Sequence, residues 1–332
     1  MLLTDLIPAL IVASAIAPAL LLLWLVVAAD SRPEPPRIVW ISVGLGVLSC
    51  VPAALVELWL QRHFPITGNS SLVPFETALF FAGIPEESIK VSIIAAIALR
   101  ARDFDEPMDG VVYGTAVGLG FAALENVLYV ASNTDWAFVA IMRGVLSVPG
   151  HGAFGAIAGA YIARARFGGA LGAHRTSRWR RPRLFLLAWL IPVVLHTLFD
   201  GSLFSLGKLT PETANTAEGA TWFWLMLIMA LVVGFGAIVF AILLTRRIAR
   251  RQKVLLQTKR LPPVHWRAIW ARSLCGLGLS LVAVALIIAG NSTAKIAGCV
   301  LLVIAIGISR HCAKYLNDAA KLMHSPGAVP SS

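Results

Sequence analysis

The chain has 332 residues, of which 58% are hydrophobic and 14% charged, and its mean hydropathy is +0.79. That balance excludes a soluble globular domain and leaves an all-α, polytopic membrane protein of bundled helices. The formal charge of +11 and the pI near 10.1 suggest a nucleic-acid partner at first sight, but the basic residues gather beside apolar segments, where they set topology and meet anionic lipid; no nucleic acid is expected.

A spanning helix needs about 20 mostly apolar residues. Nine segments approach that template: 6–29, 38–60, 75–99, 109–132, 136–163, 184–206, 221–245, 273–290 and the short 296–309. The first has no basic residue ahead of it and is too long for a signal-peptide core, so it is expected to be retained. Connections after spans one, three, five and seven, with the tail, hold Arg32, Arg37, Arg100, Arg102, the basic runs within 164–183 and 246–272, Arg310, Lys314 and Lys321. The opposite connections hold only Arg62, Lys208 and Lys295. Basic loops stay in the cytoplasm, which places the amino terminus outside and the carboxyl terminus inside. Cys50, Cys275, Cys299 and Cys312 form no CxxC pair and suggest neither a disulfide frame nor a thiolate metal site.

The third span carries "GIPEESIK", which puts Glu86, Glu87 and Lys90 into an apolar run. The fourth adds Glu125, the fifth Arg143 and His151, and the sixth His196 and Asp200; of seven histidines, only these two fall in the membrane. A charged residue at a helix centre is unfavourable by roughly 2.5 to 3.5 kcal/mol on insertion scales, so these groups require mutual pairing or a wet cavity. At about 1.5 Å per residue, Glu86, Glu125, His151 and His196 lie between about 11 and about 23 Å from the outer helix ends, a common zone. Glu57 and Glu76 sit near outer ends and can snorkel.

Glu86 and Glu87 reach Lys90 at i, i+4 and i, i+3, and His196 reaches Asp200 at i, i+4, where the carboxylate can orient the imidazole. "GTAVG" (114–118) and "GAIAG" (155–159) are read as small-residue packing that lets helices four and five approach closely. Pro85, Pro149 and Pro192 precede deep polar residues, but prolines 8, 18 and 52 occur without them, so no functional weight is placed on proline.

The order "PEESIK", "DGVVYGTAVGLGFAALENVLY", "RGVLSVPGH", "HTLFD" resembles the PrsW-type intramembrane proteases, distant relatives of the CAAX prenyl proteases and bacteriocin-processing enzymes. The family patterns EExxK, FxxxE, an isolated His and HxxxD or HxxxN fall on Glu86, Glu87 and Lys90, on Phe121 and Glu125, on His151, and on His196 and Asp200. The likeness covers about residues 75–206. It implies a four-helix catalytic core there, preceded by two helices in 1–74 and followed by an appended segment, 207–332. It further implies an integral protein of a bacterial cytoplasmic membrane that cleaves membrane-anchored proteins, such as an anti-sigma factor, to start signalling.

On this reading Glu86, Glu87, Glu125, His151 and His196 are catalytic, and Lys90, Phe121, Asn126, Arg143 and Asp200 support them. Hydrolysis needs a base for water, a proton for the leaving amine and oxyanion donors, which the glutamates and imidazoles can supply. Equally, His151 and His196 with one of Glu86, Glu87 or Glu125 can bind Zn²⁺ and leave a position for water. No HExxH motif is present, so metal ligands would come from separate helices. A proton-coupled transporter also uses deep Glu, Asp and His residues, but the two halves of the span array do not recur. A non-catalytic scaffold or immunity protein would be expected to lose a motif residue, and none is missing.

Overall fold

A computed structural model describes residues 2–30, 32, 34–101, 103–167 and 180–256 of the protein. Among these, the regular structure is helical: α1 (Leu2–Ala29), α2 (Pro36–His63), α3 (Val73–Ala78), α4 (Ile84–Arg100), α5 (Pro107–Ala131), α6 (Trp136–Val145), α7 (Ser147–Phe167), α8 (Arg180–Gly207), α9 (Pro211–Ala214) and α10 (Ala217–Leu256). Six stretches are long and apolar enough to cross a membrane, and they match spans one, two, four, five, six and seven. The third span is helical from Val73 to Arg100 but, with its internal charges, is not among the six. Spans eight and nine lie outside the described residues.

The bundle is layered around α5 and α7. Of the apolar windows, 78% is buried in α5 and in α6–α7, against 22% in α1 and 28% in α10, so α5 and α7 form the centre and the others an outer ring. Leu48, Leu55, Leu99, Phe138 and Val232 point outward, as expected of side chains that meet lipid tails.

The centre is tight because both helices offer glycines to the contact. A Cβ on Gly114 would meet the Gly155 carbonyl oxygen, one on Gly159 that of Gly110, and one on Gly118 that of His151. Backbones this close leave no room for a side chain. Gly155→Val is therefore expected to destabilise the bundle by about 3 kcal/mol and to draw His151 away from Glu125. A melting temperature equal to that of the unchanged protein would show that α5 and α7 do not meet here.

Two irregularities interrupt the helices near the polar residues. Between α3 and α4 the chain makes a π-turn, Leu79–Gly83. Pro85 follows it, and a proline can neither donate to the carbonyl four residues back nor avoid its oxygen; the wider turn absorbs the conflict. The fifth span breaks at Leu146 (φ −115°, ψ −58°) into α6 and α7, and Pro149 is the residue that would otherwise donate to Val145. Pro192 sits inside an unbroken α8, as Pro8 and Pro18 do in α1 and Pro52 in α2. Two of the three prolines passed over at the sequence level thus coincide with breaks that aim functional side chains.

At one end, the α1–α2 connection, the start of α5 and the ends of α7 and α10 come together. Phe104 stacks on Phe167 at 5.7 Å, and Arg166 lies over Phe104 at 5.0 Å. Burial pushes the Asp30 carboxyl up to about 7, and burial together with the nearby Asp109 raises that of Glu34 well above the usual range. Arg37, Arg100, Arg181 and Arg183 stand exposed on the chain segments around this end.

Candidate active site

α4 brings Glu86, Glu87 and Lys90 into the interior on its first two turns, immediately after the π-turn. The Lys90 ammonium lies 2.5 Å from Glu87 Oε1, 3.3 Å from Glu86 Oε2 and 3.1 Å from Nδ1 of His151, and 4.3 Å above the centre of the Phe121 ring. One cation thus gathers two carboxylates of α4, an imidazole of α7 and an aromatic face of α5.

Each imidazole is held from both sides. His196 on α8 has Nδ1 3.0 Å from Glu87 Oε1 and Nε2 3.1 Å from Asp200 Oδ2. His151 has its other nitrogen, Nε2, 2.9 Å from Glu125 Oε2. The two rings meet edge to face with centroids 5.1 Å apart, while Phe121 and Phe154 close over them. This apolar packing restricts ring rotation.

Glu125 Oε2 is also 2.9 Å from Nη2 of Arg143, an ion pair not aligned as a hydrogen bond. Arg143 Nε donates to Asn126 Oδ1 at 3.0 Å, and Asn126 Nδ2 donates to the Ala15 carbonyl of α1 at 2.8 Å. All ten residues singled out in the sequence therefore join one network. Sequence reasoning missed Phe154, the α1 carbonyl and Cys50, whose thiol donates to the Phe121 carbonyl at 3.3 Å. Only their positions in space mark them, because apolar side chains and backbone groups within spans look alike in sequence.

Exposure divides the cluster. The side chains of Glu87 and Lys90 are each 1% exposed, against 11% for Glu86, 20% for Glu125 and 22% for Asp200. The cluster is thus most open on the Glu86, Glu125 and Asp200 side.

The model of the PrsW family intramembrane metalloproteases matches residues 34–232. The chain belongs to the PrsW family. It is 33% identical over 200 residues to Protease PrsW of Bacillus subtilis (60% of this chain, 84% of that protein) and 33% identical over 189 residues to Protease PrsW of Clostridioides difficile (56% and 76%). Protease PrsW of Oceanobacillus iheyensis is 30% identical over 194 residues (57% and 81%). No solved structure matches the chain. This PrsW-family chain is thus an integral membrane protease, and the match runs past 75–206 to take in α2 and the first part of α10.

The family's description implies a metal, and the donors present fit one. Glu86, Glu87, His151 and His196 are buried and offer ligand atoms all within 4.8 Å of one another, a mixed nitrogen and oxygen set that suits a borderline cation. Glu125, offered by the sequence as a third ligand, is not in this group and instead faces His151 and Arg143. Lys90 holds three of the same four side chains, so its ammonium and a metal ion compete for them.

Proposed function

We propose that the chain hydrolyses peptide bonds of membrane-anchored proteins at this cluster, with a signalling protein of the anti-sigma-factor kind as substrate class. The observation that carries the reading is the convergence of Glu86, Glu87, His151 and His196 in the helical interior. His151, His196 and Glu87, the more buried donors, would hold a zinc ion. Such an ion supplies Lewis-acid polarisation of a carbonyl and acidifies bound water.

Glu86 is the carboxylate left to act as base. It is the more exposed of the pair and its contacts are looser, 3.3 Å to Lys90 and 4.0 Å to His196. It takes a proton from the water whose oxygen attacks the scissile carbonyl carbon, and it delivers that proton to the leaving amine as the C–N bond breaks. Asp200 orients His196. Arg143 Nη2 is ion-paired to Glu125 without being aligned as a hydrogen bond, and its N–H groups can turn to a substrate carbonyl.

Chelation tests the metal. Purified protein treated with a zinc chelator and desalted is expected to lose cleavage of a membrane-anchored reporter peptide and to regain it with Zn²⁺ but not with Mg²⁺. Full activity in protein shown by elemental analysis to be free of transition metal would leave the glutamates and imidazoles as the whole machinery.

A further inference from the structure

A second buried carboxylate cluster lies at the basic end, apart from the site above. Asp30 directly follows α1, Glu34 lies in the connection to α2, Asp109 is in the first turn of α5, and Glu106 caps that helix. All four are buried, and Asp109 is fully so. Arg32 is ion-paired to Glu106, with its side chain 30% exposed at the rim. Gln252 of α10 donates to Glu106 Oε2 at 2.5 Å and to Asp30 Oδ1 at 3.2 Å, and its own oxygen accepts from the Met108 N–H at 2.9 Å.

The donors run out before the acceptors do. Asp30 Oδ1 also takes the Arg32 N–H at 3.0 Å, Asp109 Oδ2 takes the Glu106 N–H at 2.6 Å, and Glu34 Oε2 takes the Tyr113 hydroxyl. Among the described residues, Asp30 Oδ2 and Asp109 Oδ1 remain buried with no hydrogen-bond partner. Among the described residues Arg32 is ion-paired to Glu106 and no cation is ion-paired to Asp30, Glu34 or Asp109, although these three offer oxygens all within 4.8 Å of one another. Orphaned buried carboxylate oxygens call for an occupant.

We propose that Asp30, Glu34 and Asp109 form a structural cation site for a hard divalent ion of the Mg²⁺ and Ca²⁺ class. The ligands are carboxylate oxygens with no sulfur or imidazole, the donor set of those ions and not of zinc or copper. A bound ion ties the α1–α2 connection to the start of α5, and Gln252 extends the tie to α10. α5 carries Glu125, so the site braces the helix from which one wall of the protease cluster is built. The site does not depend on the proteolytic reading.

The test uses the full chain in detergent micelles, chelated and desalted, in a His151→Ala, His196→Ala background that disables the other cluster. Titrated Mg²⁺ or Ca²⁺ is expected to raise the melting temperature, with one ion bound per chain by equilibrium dialysis. Adding Asp30→Asn and Glu34→Gln together should weaken binding by about tenfold or more, because affinity follows ligand charge. If that double change does not fold, Asp30→Asn and Glu34→Gln are measured singly, with the same expectation in each. Equal cation binding with and without these changes would overturn the proposal. So would an absence of binding by the parent combined with a cation-independent gain in melting temperature in Asp30→Asn, which would mark a cluster neutralised by shared protons.

Discussion

Glu86→Gln is expected to lower cleavage of a membrane-anchored substrate by about a thousandfold, the range for a lost general base, while the protein stays in the membrane at its normal level. The amide keeps the shape of the side chain and removes the proton acceptor. It also makes burial less unfavourable, so lost cleavage cannot be traced to lost folding. Glu86 has room for the change, since its contacts are 3.3 Å and 4.0 Å long. Glu87→Gln should abolish cleavage too, but with a fall in melting temperature, because Glu87 bridges Lys90 and His196 at 2.5 and 3.0 Å. Cleavage at the unchanged rate by Glu86→Gln protein would remove Glu86 from the chemistry.

Lys90→Met should have the largest effect on stability. The ammonium is 1% exposed and is the nearest cation to both Glu86 and Glu87. Removing one partner of a buried charge pair costs about 3–5 kcal/mol, a large share of the stability of an ordinary domain. The amount of protein in the membrane should therefore fall steeply. Joining Lys90→Met to Glu87→Gln removes one stranded charge and should restore much of the level without restoring cleavage. A Lys90→Met protein that accumulates and melts as the unchanged one does would show that the carboxylates are neutralised some other way.

Much of the site is legible in the sequence because a charge in an apolar span has few reasons to be there. Glu86, Glu87, Lys90, Glu125, Arg143, His151, His196 and Asp200 stand out by that rule alone, and the i, i+4 spacing already joins His196 to Asp200, which lie 3.1 Å apart. The contact of "GTAVG" with "GAIAG" is legible for the related reason that small residues four apart make a surface only another helix fills.

Contacts between helices follow from rotation about each axis, which residue spacing does not specify. The π-turn before Glu86 and the break at Leu146 reset that rotation. Tertiary structure therefore decided that Glu86 and Glu87 both come within ligand distance of the two imidazoles, that Glu125 faces His151 and Arg143, and that Lys90 bridges α4 to α7. The cluster at the basic end was hidden more completely. Asp30, Glu34, Glu106 and Asp109 lie at span edges, where acidic residues are ordinarily solvated and carry no cost to explain. Only the packing of α1, α5 and α10 buries them, and burial turns unremarkable carboxylates into a cluster in which Glu106 meets Arg32 while Asp30, Glu34 and Asp109 form the proposed cation site.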